Sequence, residues 1–158
     1  MTRTDWLDVV LATTVILRGL GAGVILGVLT ITLPTLRRLG LLTYGDFTRA
    51  QYRGLGVKAY GVLTTVGAAL TAAVLVLAIM WHAGAAVTWL TAWSLAATVL
   101  AFGGVARALP AMFTLWKTGD DDPHAVARLL DRFARAGTFS AIWHAIAFIF
   151  VVAALAAA

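Results

Sequence analysis

The sequence predicts an all-α fold, a four-helix transmembrane bundle, and three observations carry that reading. Four apolar stretches, at about 9–34, 59–81, 87–112 and 138–158, each supply the roughly 20 helical residues that cross ~30 Å of hydrocarbon. The chain is 61% hydrophobic with a mean hydropathy of +0.93, above the near-half apolar content of soluble domains. Few residues remain between the stretches. Residues 1–158 therefore read as a single integral membrane domain with no large water-facing core.

The charges sort by side. Between the first and second stretches lie Arg37, Arg38, Arg49, Arg53 and Lys58 against Asp46 alone. Around the connection from third to fourth lie Arg107, Lys117, Arg128, Arg132 and Arg135. The other side offers Arg3 beside Asp5 and Asp8, and a second-to-third connection without Lys or Arg. Lys and Arg bias sets orientation in membranes. The expectation is a multi-pass protein of the plasma (inner) membrane with cytoplasmic basic loops and both termini outside. The pI near 10.5 then reflects loop placement in a lipid bilayer, with no nucleic acid as partner. Trp6, Trp81 and Trp89 fall near the outer boundary and Trp116 and Trp143 near the inner one, as an interfacial aromatic belt requires.

Taken in order, the first stretch is too long for a signal peptide and is interrupted by Arg18. Gly19, Gly23 and Gly27 make two consecutive GxxxG steps, which let helices approach closely. They serve packing inside the molecule, with Gly103, Gly104 and Ala108 as a matching surface, or a homodimer or membrane-complex partner. The two basic connections form a possible two-hairpin pseudo-repeat. Each runs Leu-Pro (Leu33-Pro34, Leu109-Pro110), Gly-Asp (Gly45-Asp46, Gly119-Asp120), then an Arg-x-x-x-Arg pair (Arg49/Arg53, Arg128/Arg132). In the second, Asp122 reads as an N-cap with Pro123 at the first helical position. Val126, Leu129, Leu130 and Phe133 continue an amphipathic helix that lies at the surface or runs into the fourth stretch. Gly54 and Gly56 break the equivalent first segment.

Polar chemistry inside the stretches is sparse, and no acid lies in any of them. A guanidinium in hydrocarbon is costly and marks a functional hypothesis by default. Arg18 either snorkels or bonds neighbours such as Thr13 and Thr14, or it fixes an anionic or carbonyl oxygen of a ligand, which suits guanidinium donors. His144 and Ser140 lie one turn apart on the fourth helix, with Arg107 at comparable depth on the third and Trp143 alongside. His144 reads as a proton acceptor, a haem ligand or a metal ligand, or as an interfacial histidine satisfied by carbonyl or water. The candidate site is thus Arg18 and His144 in catalytic roles, with Arg18, Arg107, Ser140 and Trp143 holding a substrate.

Several classes are unsupported. The absence of cysteine removes iron–sulfur clusters, thiolate haem and thiol nucleophiles. The absence of glutamate removes the di-iron bundle pattern. His82 and His144 fall on opposite sides, so they do not clamp one haem, and His124 lies in a loop; three scattered histidines make no metal site. Asp120, Asp121 and Asp122 read as capping and solvation ahead of cation binding. No cofactor is favoured, although haem is not excluded.

The segments GAGVILGVLTITLPTLRRLG, FTRAQYRGLGVKAYGVL and LLDRFARAGTFSAIWHAIAF resemble the anthrone-oxygenase-like family of small four-helix membrane proteins, over most of the chain. Relatives carry a Trp or His followed by an Arg near the last span; here Trp143 and His144 have no nearby following Arg. The resemblance implies oxidation of polycyclic phenolic substrates in some relatives. The expectation is a protein binding a hydrophobic aromatic or quinone-like molecule, with a cofactor-independent oxygenase-like enzyme as its active form. The alternatives are a non-enzymatic accessory or assembly subunit of a larger complex, and a haem- or quinone-binding carrier.

Overall fold

A computed structural model describes residues 3–158, leaving aside the side chains of Arg3, Thr4 and Val57. Arg3, the one cation read on the terminal side, thus falls outside the described side chains. The chain is helical almost throughout: α1 (Arg3–Gly27), a π-helical turn (Val28–Thr32), α2 (Leu33–Leu39), α3 (Leu41–Arg53), α4 (Leu55–Met80), α5 (Ala85–Leu115) and α6 (Pro123–Ala156). Four helical runs are long and apolar enough to cross a membrane: Asp5–Leu39, Lys58–Met80, Ala85–Leu115 and Pro123–Ala156.

Local chemistry explains the joints. Pro34 lacks an N–H and cannot continue the i→i−4 ladder. The chain passes it through a π-helical turn rather than ending, so the first helix reaches Leu39. Gly40, at φ 114°, makes the corner into α3. Gly54 separates α3 from α4, as the glycine break predicts. The α4–α5 turn uses His82 (φ 56°) and Gly84 (φ 92°). Asp122 accepts from the Ala125 N–H at 2.9 Å and caps α6 with Pro123 in its first turn. From there α6 runs unbroken to Ala156, so the amphipathic segment is the first part of the fourth span.

Around the bundle α1 neighbours α4 and α6, while α5 neighbours α4 and α6, which leaves α1 and α5 diagonal. The α5–α6 pair is the closest. A Cβ at Gly104 would stand 2.8 Å from the Ser140 Cβ and 2.9 Å from its backbone N. The Ser94 hydroxyl donates to the Ala147 carbonyl at 2.8 Å. Small residues drive such contacts in lipid, where apolar burial between helices gains little. This corrects one expectation: Gly104 faces α6 and not the α1 glycine stripe, Gly103 has no neighbour within 4 Å of a Cβ position, and Ala108 lines a cavity between α4, α5 and α6. Of that stripe only Gly19 packs inside, against the Phe148 ring; Gly23 and Gly27 have no neighbour within 4 Å of a Cβ position.

The terminal end is sealed by Leu7, Leu11, Val74, Ala78, Val87, Val151 and Ala154. The basic end closes over Leu36, Tyr44, Leu115, Val126 and Leu130. There the two Gly-Asp motifs converge. Arg49 Nη1 donates to Asp46 and to Asp120, each at 2.9 Å. Arg49 also reaches the Leu115 and Thr118 carbonyls, and Arg53 the Trp116 carbonyl, so α3 supplies cations to the C-terminus of α5. Their counterparts Arg128 and Arg132 are exposed.

Candidate functional site

Between the sealed terminal end and the basic end the bundle carries a polar layer. Arg18 is 5% exposed and lies across Gly67 of α4, whose missing Cβ leaves room for its stem; a Cβ there would be 3.4 Å from Nε. One turn on, the Thr71 hydroxyl accepts from Arg18 Nε at 3.1 Å and Nη2 at 2.9 Å. It donates its own proton to the Gly67 carbonyl at 2.8 Å. A hydroxyl has one donor and two lone pairs, so Thr71 is fully used. Thr13 and Thr14, expected as partners of Arg18, instead donate to the Val9 and Val10 carbonyls. A helical threonine satisfies itself this way whenever its i−4 carbonyl is in reach.

A guanidinium carries five N–H donors. Among the described residues Arg18 has no acceptor but Thr71, and no ion pair includes it. Both protons of Nη1 and one of Nη2 therefore remain for something else. His144 (5% exposed) stands within coulombic reach of Arg18 across the bundle, one turn before the Phe148 that packs on Gly19. Its ring meets Phe102 edge-on at 6.5 Å. Among the described residues His144 Nε2 has no hydrogen-bond partner, nor has Ser140 Oγ one turn below at 4% exposure.

Ser140 borders a cavity of about 280 Å³ between α4, α5 and α6. Tyr60, Phe102, Met112, Phe133 and Thr64 supply other walls, and Tyr52 reaches in from α3. A smaller hollow of about 80 Å³ toward α1 shares Tyr52, Tyr60, Phe133 and Gly137 with it. The edge-to-face pair of Tyr52 and Phe133, centroids 5.1 Å apart, stands between the two. An apolar, aromatic-lined cleft with a few convergent polar groups has the anatomy of a small-molecule site, though at the lower end of the usual ~300–1,000 Å³.

No protein-family model, curated protein or solved structure matches this chain. The site is therefore read from its own geometry. The fold sets His144 within coulombic reach of Arg18, and Ser140, one turn from His144, is the member of the three that lines the cavity. The fold does not bring Arg107 to them: that side chain is exposed, with its guanidinium 5.5 Å over the Phe139 ring. Trp143 is half-buried and edge-on to the same Phe139. These two belong to an outward strip of α5 and α6 one helix face away from His144. His82 sits in the exposed α4–α5 turn, bonded to the Ile79 carbonyl at 3.1 Å, and His124 is exposed at the start of α6.

Sequence reasoning missed Gly67, Thr71, Thr64, Tyr52, Tyr60 and Phe102. The only signal for the first two is the Gly67-x-x-x-Thr71 spacing, a space and an acceptor on one face of α4. The aromatic walls come from α3, α4, α5 and α6 together and have no linear motif.

Proposed function

We propose that this protein binds a hydrophobic aromatic or quinone-like molecule within the bundle, its ring system in the cavity and an oxygen acceptor against Arg18. The observation that carries this reading is the buried guanidinium with three donors unused. A buried charge is retained where it finds partners, and a carbonyl or phenolate oxygen would supply what Thr71 cannot. Ser140 and His144 would add polar contacts at the same end. The surrounding bilayer is taken to be the plasma (inner) membrane, with the basic end cytoplasmic.

The oxygenase-like activity implied by the resemblance would use the same groups. His144 Nε2 would accept a proton from the acidic anthrone carbon and Arg18 would stabilise the resulting enolate oxygen. Dioxygen would add to that carbon, and the hydroperoxide would lose its O–O bond and the second C–H proton, giving the quinone carbonyl and one water. A purified, detergent-solubilised sample titrated with an anthrone and with a naphthoquinone tests this through quenching of tryptophan fluorescence. Charge-assisted hydrogen bonds contribute about 1.5–3 kcal/mol, so Arg18→Gln is expected to weaken binding roughly tenfold to a hundredfold. His144→Gln is expected to leave binding largely intact and to remove any oxidation. Unchanged binding in a folded Arg18→Gln protein sinks the proposal.

A second reading, an accessory subunit or a homodimer, is favoured by Gly23 and Gly27, whose Cβ positions have no neighbour within 4 Å from another helix among the described residues. Gly23→Leu would then shift the mass of the detergent-solubilised assembly and leave ligand binding unchanged.

A further inference from the structure

We infer that the groove between α2 and α6 at the basic end is a binding site for one anionic glycerophospholipid. The groove, of about 420 Å³, runs beside the π-helical turn and has Leu29, Leu33, Pro34 and Thr138 along it, with Arg37 and Arg135 on opposite walls. Leu29 lies in the π-helical turn, a feature that in other helices frequently marks functional positions. From Leu29 to Arg37 the helix rises roughly 12 Å. That depth takes the glycerol and the first part of an acyl chain on the apolar walls, with the phosphate at the two arginines.

The charge balance selects the lipid class. Arg135 pairs with Asp131 at 2.6 Å, whereas Arg37 makes no hydrogen bond or ion pair with any described residue. Arg37 and Asp131 both lie within coulombic reach of Tyr44, which brings the α2 and α6 charges to one locality. Two guanidiniums against one carboxylate leave a single uncompensated positive charge, matched to a phosphodiester. A zwitterionic lipid carries its own ammonium and gains less. Basic pockets between transmembrane helices recognise anionic head groups on these grounds. Guanidinium also grips phosphate oxygens in paired hydrogen bonds.

The test is native mass spectrometry of the detergent-solubilised protein with phosphatidylglycerol and phosphatidylcholine of identical chains. The expected result is at least about tenfold stronger retention of phosphatidylglycerol, falling to the phosphatidylcholine level in Arg37→Gln/Arg135→Gln. The Arg128→Gln/Arg132→Gln protein loses the same charge from exposed positions off the groove and is expected to keep the preference. Should the first double variant fail to fold, Thr138→Trp fills the groove without altering charge and is expected to abolish retention. Equal loss in both double variants, no preference in the parent, or full retention in a folded Thr138→Trp protein would overturn the assignment. The readout is independent of ligand binding at Arg18, so the two proposals fail separately.

Discussion

Arg18 is held by a single hydroxyl from a helix 53 residues away in sequence. Interhelical hydrogen bonds in membranes average only ~0.6 kcal/mol, because the unfolded chain in lipid finds other partners. A charged donor moves the figure up, to about 1.5–3 kcal/mol. Thr71→Val, which keeps shape and removes the acceptor, is therefore expected to cost about 1.5–3 kcal/mol in detergent unfolding, and Thr71→Ser less than about 1 kcal/mol. Equal stability of the valine variant and the parent would show that Arg18 has other partners. At the basic end, burial raises Tyr52 above its ordinary value, with Tyr44 adding to the effect. Burial also raises Tyr44, opposed by Arg37 and reinforced by Asp131. The folded chain thus favours the neutral phenols. Their stabilisation is complete below the unfolded value of 10.0 and is lost as pH rises toward the folded values. The melting temperature is expected to be insensitive to these two groups up to about pH 10 and to fall above it. Tyr52→Phe should flatten that fall, as a melting series alongside tyrosinate absorbance would reveal. The charge of Arg18 and the imidazole of His144 are legible in the sequence; Thr71 is not, since it is one of many threonines and only helix register selects it.

At the scale of elements, the tightest seam is α5 against α6 at Gly104. A methyl group there meets Ser140 backbone and the Ala136 carbonyl at 3.0 Å, neither of which is a flexible chain end. Gly104→Ala is expected to cost about 1–3 kcal/mol by overpacking. Gly103→Ala points into open space and is expected to be neutral or stabilising by up to about 1 kcal/mol through helix propensity; thermal unfolding of the pair checks both. The α6 cap was legible, since Asp-Pro before an apolar run has a mechanism. The fate of Pro34 was not: proline usually ends or kinks a helix, and whether a π-helical turn absorbs it depends on what the following segment packs against. Here Leu36 joins Tyr44 and Leu130 in the basic-end cluster, which holds α2 in place. The Arg-x-x-x-Arg pairs read alike in sequence, yet one caps α5 and the other is exposed, because α3 crosses the end of a helix and the start of α6 does not.

For the whole molecule, the asymmetry of Lys and Arg leads to a direct expectation. A periplasm-active phosphatase fused after Ala158 should be active, and one inserted at 118–122 inactive; the reverse pattern would invert the proposed orientation. The four apolar helices, their joints at Gly54 and Asp122, and the separation of basic loops from terminal turns follow from the sequence alone, because hydropathy, capping and loop charge are local properties. Which helices touch is another matter. Small residues occur on α1 and α5 alike, and nothing local says that Gly104 meets α6 while Gly23 and Gly27 have no neighbouring helix at their Cβ positions. The ring order of the bundle decided that, and with it the placement of Arg18 against Thr71, of Arg107 away from His144, and of the aromatic cavity that Ser140 lines. Contacts between segments depend on rotation and register of whole helices, which no short stretch of the chain encodes.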